Sequence, residues 1–249
     1  MTQITGAVVS LLEVIALTVA DARAAQEGGA DRLEVVADMA ADGLTPDPDL
    51  VAEMRAATSL PLRVMLRANA GFRTTAPELD RLRRVAELHR EAGADGFVLG
   101  FLDSAGGIDT GAAGKIAAAL APLPWTFHRA IDHAADPVAA WRAVRDLAAE
   151  AGSEVGGPGL DTVLTAGSPR GVDAGVDVLV RRTAEGPASA GLIMAGGGLR
   201  RKHVALLAAA GVTAFHVGTA VRPDGSWDAP VDAGLVCEWR SLVSAAAGS

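Results

Sequence analysis

Short apolar runs alternate with helical patterns along the whole chain, and this alternation sets the expected elements. Leu11 to Leu17, Arg32 to Ala37, Leu62 to Arg67, Gly96 to Leu102, Pro124 to Asp132, Asp161 to Thr165, Leu192 to Ala195 and Ala214 to Val217 read as strands. Each is short, rich in branched or aromatic residues and bounded by glycine, proline or acidic residues. Between them the period changes to that of a helix. Leu79, Leu82, Val85 and Ala86 form an apolar stripe that Pro77 opens and Gly93 closes. Thr18 with Asp21, Asp109, and Asp136 before Pro137 stand where helix N-caps belong. Further helices are expected through Leu50 to Met54, Val172 to Thr183 and Arg200 to Ala210, and Gly152 to Leu160 reads as a flexible connection.

Eight such alternations, strands buried on both faces and no break in composition predict an α/β fold, a single (β/α)8 barrel over about residues 10–220. Val231 to Ser249 adds a C-terminal helix and tail, so the chain is expected to be one domain, 1–249.

Composition narrows the function classes. Half the residues are hydrophobic, yet no apolar run approaches the ~20 residues of a membrane helix. The opening Met-Thr-Gln-Ile-Thr has no secretory pattern, which makes the cytoplasm the expected location. A net charge of −8 and few aromatics argue against nucleic acid as a partner. The lone Cys237 excludes an intramolecular disulfide or a thiolate cluster, and its setting on a terminal helix reads as a small buried hydrophobe.

Strand parity then sorts the polar residues. Glu13, Glu34, Arg63, Arg67, His128 and His216 fall on the faces assigned to the barrel lumen, where each is too costly to bury unpaired. An ion-pair network filling the core is the bland explanation, and it weighs most for Arg63, which lies early on its strand. Arg67, His128 and His216 lie nearer the strand exits, where barrels place their chemistry. His128-Arg129 followed by Asp132 adds a proton carrier, a cation and a carboxylate at one such exit. Gly196-Gly197-Gly198 follows a strand and opens a helix, so its amides are an expected anion holder, flanked by Thr165 and by the Gly218 turn. The run lacks the spacing of a dinucleotide fingerprint.

Leu12-Glu13-Val14, Gly28-Gly29-Ala30-Asp31-Arg32-Leu33-Glu34, Gly43-Leu44-Thr45-Pro46, Val64-Met65-Leu66-Arg67, Thr126-Phe127-His128-Arg129-Ala130, Asp132, Val163-Leu164-Thr165 and Ile193-Met194-Ala195-Gly196 together resemble the CutC copper homeostasis family. The resemblance implies a TIM barrel in the cytoplasm, with copper as the associated metal and no firmly established catalytic activity. It also implies cysteine copper ligands just after the first two strand glutamates, where this chain has Val14, Ile15, Val35 and Val36. After Arg67 the family's Arg-Pro-Arg-Gly-Gly-Asp-Phe becomes Arg-Ala-Asn-Ala-Gly-Phe, without the second Arg and the Asp. Two functions are therefore carried forward. One is a copper-handling protein. The other is an enzyme acting on a small phosphorylated or carboxylated metabolite, with Glu13 or Glu34 as base, His128 as acid or proton shuttle, Asp132 and His216 beside them, and Arg67, Arg129, Thr165 and the glycine run holding the anion. The expected partners are that small anion and further copies of the chain, with neither nucleic acid nor membrane.

Overall fold

In a computed structural model that describes residues 10–150 and 159–248, eight parallel strands close into a barrel in chain order. They are β1 (Leu11–Ala16), β2 (Arg32–Val35), β3 (Leu62–Met65), β4 (Gly96–Leu99), β5 (Pro124–Phe127), β6 (Gly159–Thr165), β7 (Ile193–Ala195) and β8 (Ala214–Val217). Closure comes from β8 pairing with β1, which sets Glu13 opposite His216. Helices follow the strands: α1 (Val19–Glu27), α2 (Pro48–Ala57), α3 (Ala76–Glu91), α4 (Thr110–Leu120), α5 (Pro137–Glu150), α6 (Val172–Thr183), α7 (Pro187–Leu192), α8 (Arg201–Ala209) and α9 (Ala233–Ala247).

The helix starts have local causes. Thr18 accepts from the Asp21 amide and Asp109 from Ala112, while Thr75 and Glu78 cap one another's backbone reciprocally at the head of α3. Asp136 takes the Val138 and Ala139 amides ahead of Pro137. The main core lies between strands and helices, where Phe97, Phe127, Phe215 and Leu33 are fully buried. A smaller apolar layer of Ile15, Val36, Met65 and Val98 fills the upper lumen.

Several expectations are corrected. The stretch from Pro124 to Asp132 is a strand only to Phe127, because His128 Nδ1 accepts the Ala130 amide and turns the chain into a short 3-10 segment, Arg129–His133. Arg129 and Asp132 therefore sit on a turn rather than on alternate faces of a strand. The connection expected from Gly152 lies mostly outside the described residues, and its last two, Gly159 and Leu160, already belong to β6. Helix α7 ends at Leu192, the position expected to begin a strand. Cys237 is exposed, since α9 turns Val236, Trp239 and Val243 inward and leaves it on the outer side. Among the described residues no helix is long and apolar enough to cross a membrane.

Candidate functional site

A cavity of about 290 Å³ opens at the carboxyl ends of the strands. Its floor includes Glu34 and His216, with His128 from the turn after β5 and Leu164 from β6, and Met65 and Ile15 supply apolar wall. Gly197, Gly198, Arg129 and His133 belong to its loops, and Trp227 comes from the segment after β8.

Beneath and along the floor runs a chain of charges. The Arg32 guanidinium donates to Glu13 at 2.5 Å, the other Glu13 oxygen lies 2.8 Å from His216 Nδ1, and His216 Nε2 stands 3.7 Å from Glu34. Burial would raise the Glu13 carboxyl, but the Arg32 charge and the His216 contact outweigh it and bring it down to about 2. Glu34 lacks such a donor. Burial, reinforced by the Glu13 charge, pushes it up to about 7 against the pull of His216 and Arg32. Its Oε1 has no partner among the described residues. Burial opposes a charge on His216, yet Glu34 and Glu13 together raise its pKa. Arg63 forms a separate buried pair with Asp161 at 2.5 Å.

His128 behaves differently from the acid expected of it. Among the described residues no carboxylate stands beside it; burial and the charges of Arg67, His133 and Arg129 push its pKa down to about 3. The ring is neutral at physiological pH. Its Nδ1 accepts the Ala130 N–H at 3.2 Å, which fixes the proton on Nε2. His128 lines the cavity and its buried Nε2 has no partner among the described residues, so the ring carries a neutral, uncommitted N–H donor.

The expected anion holders separate. Arg67 lines the cavity, but its guanidinium donates to the carbonyls of Ala41, Asp42, Gly43, Ala70 and Gly71, which spends its fork on two loops, while Phe72 lies against it. Arg129 is less committed: Nε bonds Asp132 at 3.0 Å, Nη2 makes two 3.4 Å contacts with Ser168 and Pro169 carbonyls, and Nη1 has none among the described residues. Asp132 is fully engaged, since its carboxylate takes the Thr165 hydroxyl and the Ala166 and Gly167 amides as well as Arg129. Asp132 and Thr165 thus shape the loop after β6 and hold Arg129, and neither lines the cavity. Gly197 and Gly198 do line it, at φ of 86° and 75°, while Gly196 packs against Leu164 and His216 below. The start of α8 is closed by its own His203, whose Nδ1 accepts the Arg200 amide.

Strand parity missed three participants. Arg32 was legible, two residues before Glu34 and hence on the same face. Asp161 was not, because the register slips between Trp125 and Thr126 where β5 meets β6. Trp227 lies on a loop, where no periodicity applies. Its ring covers Gly218, at which any Cβ would stand 2.4 Å from the indole. Arg222 holds that loop, reaching Asp21 at 2.9 Å and lying 5.2 Å over the Trp227 ring.

The CutC family model matches residues 10–221, which include every strand and all the residues just described up to Val221. The chain belongs to the CutC family. Among curated relatives, CutC of Klebsiella pneumoniae strain 342 is 35% identical over 208 residues, covering 83% of this chain and 79% of that protein. CutC of Xanthomonas campestris pv. campestris is 38% identical over 210 residues, with coverages of 82% and 81%. The crystal structure of a Streptococcus agalactiae CutC, assigned by its name to copper homeostasis, superposes with a TM-score of 0.71 at 24% identity, covering 84% of this chain and 98% of that one. A thiamine phosphate pyrophosphorylase from Pyrococcus furiosus shares the fold at a TM-score of 0.56 and 18% identity, with coverages of 96% and 98%.

Proposed function

We propose that this CutC-family protein is an enzyme that moves a proton on a small anionic metabolite, with Glu34 as general base and acid and His128 as a neutral hydrogen-bond donor. One observation carries the reading. Glu34, whose carboxyl burial pushes up to about 7, and His128, whose imidazole is neutral, line the same cavity, and the buried Glu34 Oε1 and His128 Nε2 have no partner among the described residues. A base works best when its pKa lies near the working pH, and a buried polar group without a partner costs about 1–3 kcal/mol, a cost that a ligand relieves. Glu13 is too acidic to share the role and lies outside the cavity lining. Its part is to hold His216, which in turn limits how far the Glu34 pKa rises. Asp132 and Arg67 position loops.

The test needs no substrate. With carbon-13 in the glutamate carboxyls, the Glu34 resonance is expected to titrate with a midpoint near 7 and to vanish in Glu34→Gln. A midpoint in the ordinary glutamate range, about 4.3, would overturn the proposal. A thermal-shift screen of small phosphorylated and carboxylated metabolites then finds the ligand class, because a ligand that binds only the folded state raises Tm.

The copper reading draws on the relatives' name, and the donors here fit copper(I) poorly. That ion prefers thiolate and thioether. Cys237 is exposed on α9 and outside the cavity, so Met39 and Met65 are the soft donors in the wall. Of the imidazoles in the wall, His216 is committed to two glutamates and His128 holds its proton on Nε2, which leaves His133 as the nitrogen donor beside the two methionines. Among the described residues no group of three or more His, Cys, Asp or Glu is placed to hold a metal ion. Anaerobic titration against a competing copper(I) chelator is expected to show no tight stoichiometric site. Tight binding retained in Cys237→Ala would restore the copper reading.

A further inference from the structure

We propose that the substrate is a phosphorylated sugar or similar enolisable hydroxycarbonyl compound, with its phosphate held by Arg129 and the Gly197-Gly198 loop and its carbonyl oxygen by His128, so that Glu34 interconverts two isomers through an enediol. The inference rests on the proton-transfer reading above and names its chemistry.

The anion end comes first. Among the described residues the Gly197 and Gly198 amides donate to nothing, and the Gly197 carbonyl accepts the Val172 amide at the head of α6. In a trans peptide the C=O and the following N–H point in opposite directions, so the Gly198 N–H is aimed away from α6. Arg129 packs directly on this loop, and a Cβ at Gly197 would lie 2.5 Å from its Nε. A side chain there would displace the guanidinium. Thr219, across the mouth on the β8 side, also lines the cavity. Donors on three separate loops line the one cavity. A planar carboxylate offers two oxygens, whereas a phosphate offers three in a tetrahedral arrangement that such donors can share. The Asp42 carboxylate faces the same cavity, but Arg67 and Arg129 both line it, so the mouth has more positive than negative charge.

The reacting end follows from the two unpartnered groups. Glu34 removes a proton from the carbon next to the carbonyl, the freed electron pair forms the C=C bond, and the carbonyl oxygen becomes the enediolate oxygen that accepts the His128 Nε2–H. The hydroxyl on the deprotonated carbon passes its proton to that enediolate oxygen, and protonated Glu34 gives its proton to the former carbonyl carbon, which leaves a hydroxyl there and a carbonyl one position along. No oxidant, reductant or water is consumed. A neutral imidazole suits this step, because it stabilises the developing oxyanion without giving up its proton. Beside the Thr219 hydroxyl the wall has no serine or cysteine to serve as a nucleophile.

The experiment incubates the wild-type protein in deuterium oxide with triose, tetrose and pentose phosphates and with the same sugars lacking phosphate. Proton NMR reads deuterium entering the carbon next to the carbonyl. At least one sugar phosphate is expected to exchange, at least about tenfold faster than its unphosphorylated counterpart, with inorganic phosphate as a competitive inhibitor. Arg129→Gln should raise KM by at least about tenfold, and Glu34→Gln should abolish exchange. Competition by inorganic phosphate is read on unmodified protein, so the result does not hang on how the Arg129 variant folds. Exchange that ignores both the phosphate group and added inorganic phosphate would overturn the phosphate site and leave proton transfer standing. Binding of inorganic phosphate without exchange from any sugar would overturn the enolisation, and the Glu34 titration separately decides the acid-base reading beneath it.

Discussion

At the residue scale the site is defined by three protonation states that burial and neighbours set against one another. Glu34 rises to about 7, and the unfolded carboxyl titrates near 4.5. Its raised pKa means that the folded state binds the proton more tightly, so its contribution to stability is fully present below 4.5 and is lost as pH rises through 7. Glu34→Gln is therefore expected to melt higher than wild type above pH 7 and alike below pH 4.5, as read by Tm across pH. His128 has the opposite sign. Its folded pKa is about 3 against 6.5 for a histidine in the unfolded chain, so the unfolded chain takes up a proton that the folded chain refuses, and stability falls as pH drops from 6.5 towards 3. His128→Gln should flatten that acid limb by on the order of a few kcal/mol. Replacing His216 by Gln removes the attraction that restrains Glu34 and should move its midpoint further up, which the carbon-13 titration would show.

At the element scale, the loops carry the site and the helices fix the loops. Asp132, on the 3-10 turn after β5, takes the Ala166 and Gly167 amides and thereby shapes the loop after β6 while holding Arg129 over the cavity. The same loop is pressed against α6 at Gly175, where a Cβ would stand 2.0 Å from the Ala166 carbonyl oxygen. Gly175→Ala is expected to cost about 1–3 kcal/mol or more in urea unfolding and to weaken ligand binding through Arg129. Thr75→Ala offers a contrast far from the site. It removes one arm of the capping box of α3 and should cost about 1 kcal/mol with ligand binding unchanged.

At the scale of the whole molecule, closing the barrel turns isolated buried charges into pairs. Arg63 and Asp161 are 98 positions apart in the chain and meet at 2.5 Å inside the lumen. Arg63→Met alone leaves a buried carboxylate unpaired and should cost about 3–5 kcal/mol by denaturant unfolding, while Arg63→Met with Asp161→Leu should recover most of that loss. The sequence by itself determined the order of strands and helices, the N-caps and the lumen faces of Glu13, Glu34, Arg63, His128 and His216, because period and parity are local properties of the backbone. It also carried the motifs that mark the family. Tertiary structure alone decided what those side chains do. Glu13 meets His216 across 203 positions only because β8 closes on β1, and that contact makes Glu13 a permanent anion and leaves Glu34 to titrate. His128 looked like an acid from its neighbours in sequence and is a neutral donor, because desolvation and the cations brought round it by separate loops govern its proton. Arg67 and Arg129 read alike in the chain. The folding of the loops around Arg67 spent one guanidinium on backbone carbonyls and left the other with a free donor at the cavity, since hydrogen-bond partners are assigned by distance in space and not along the sequence.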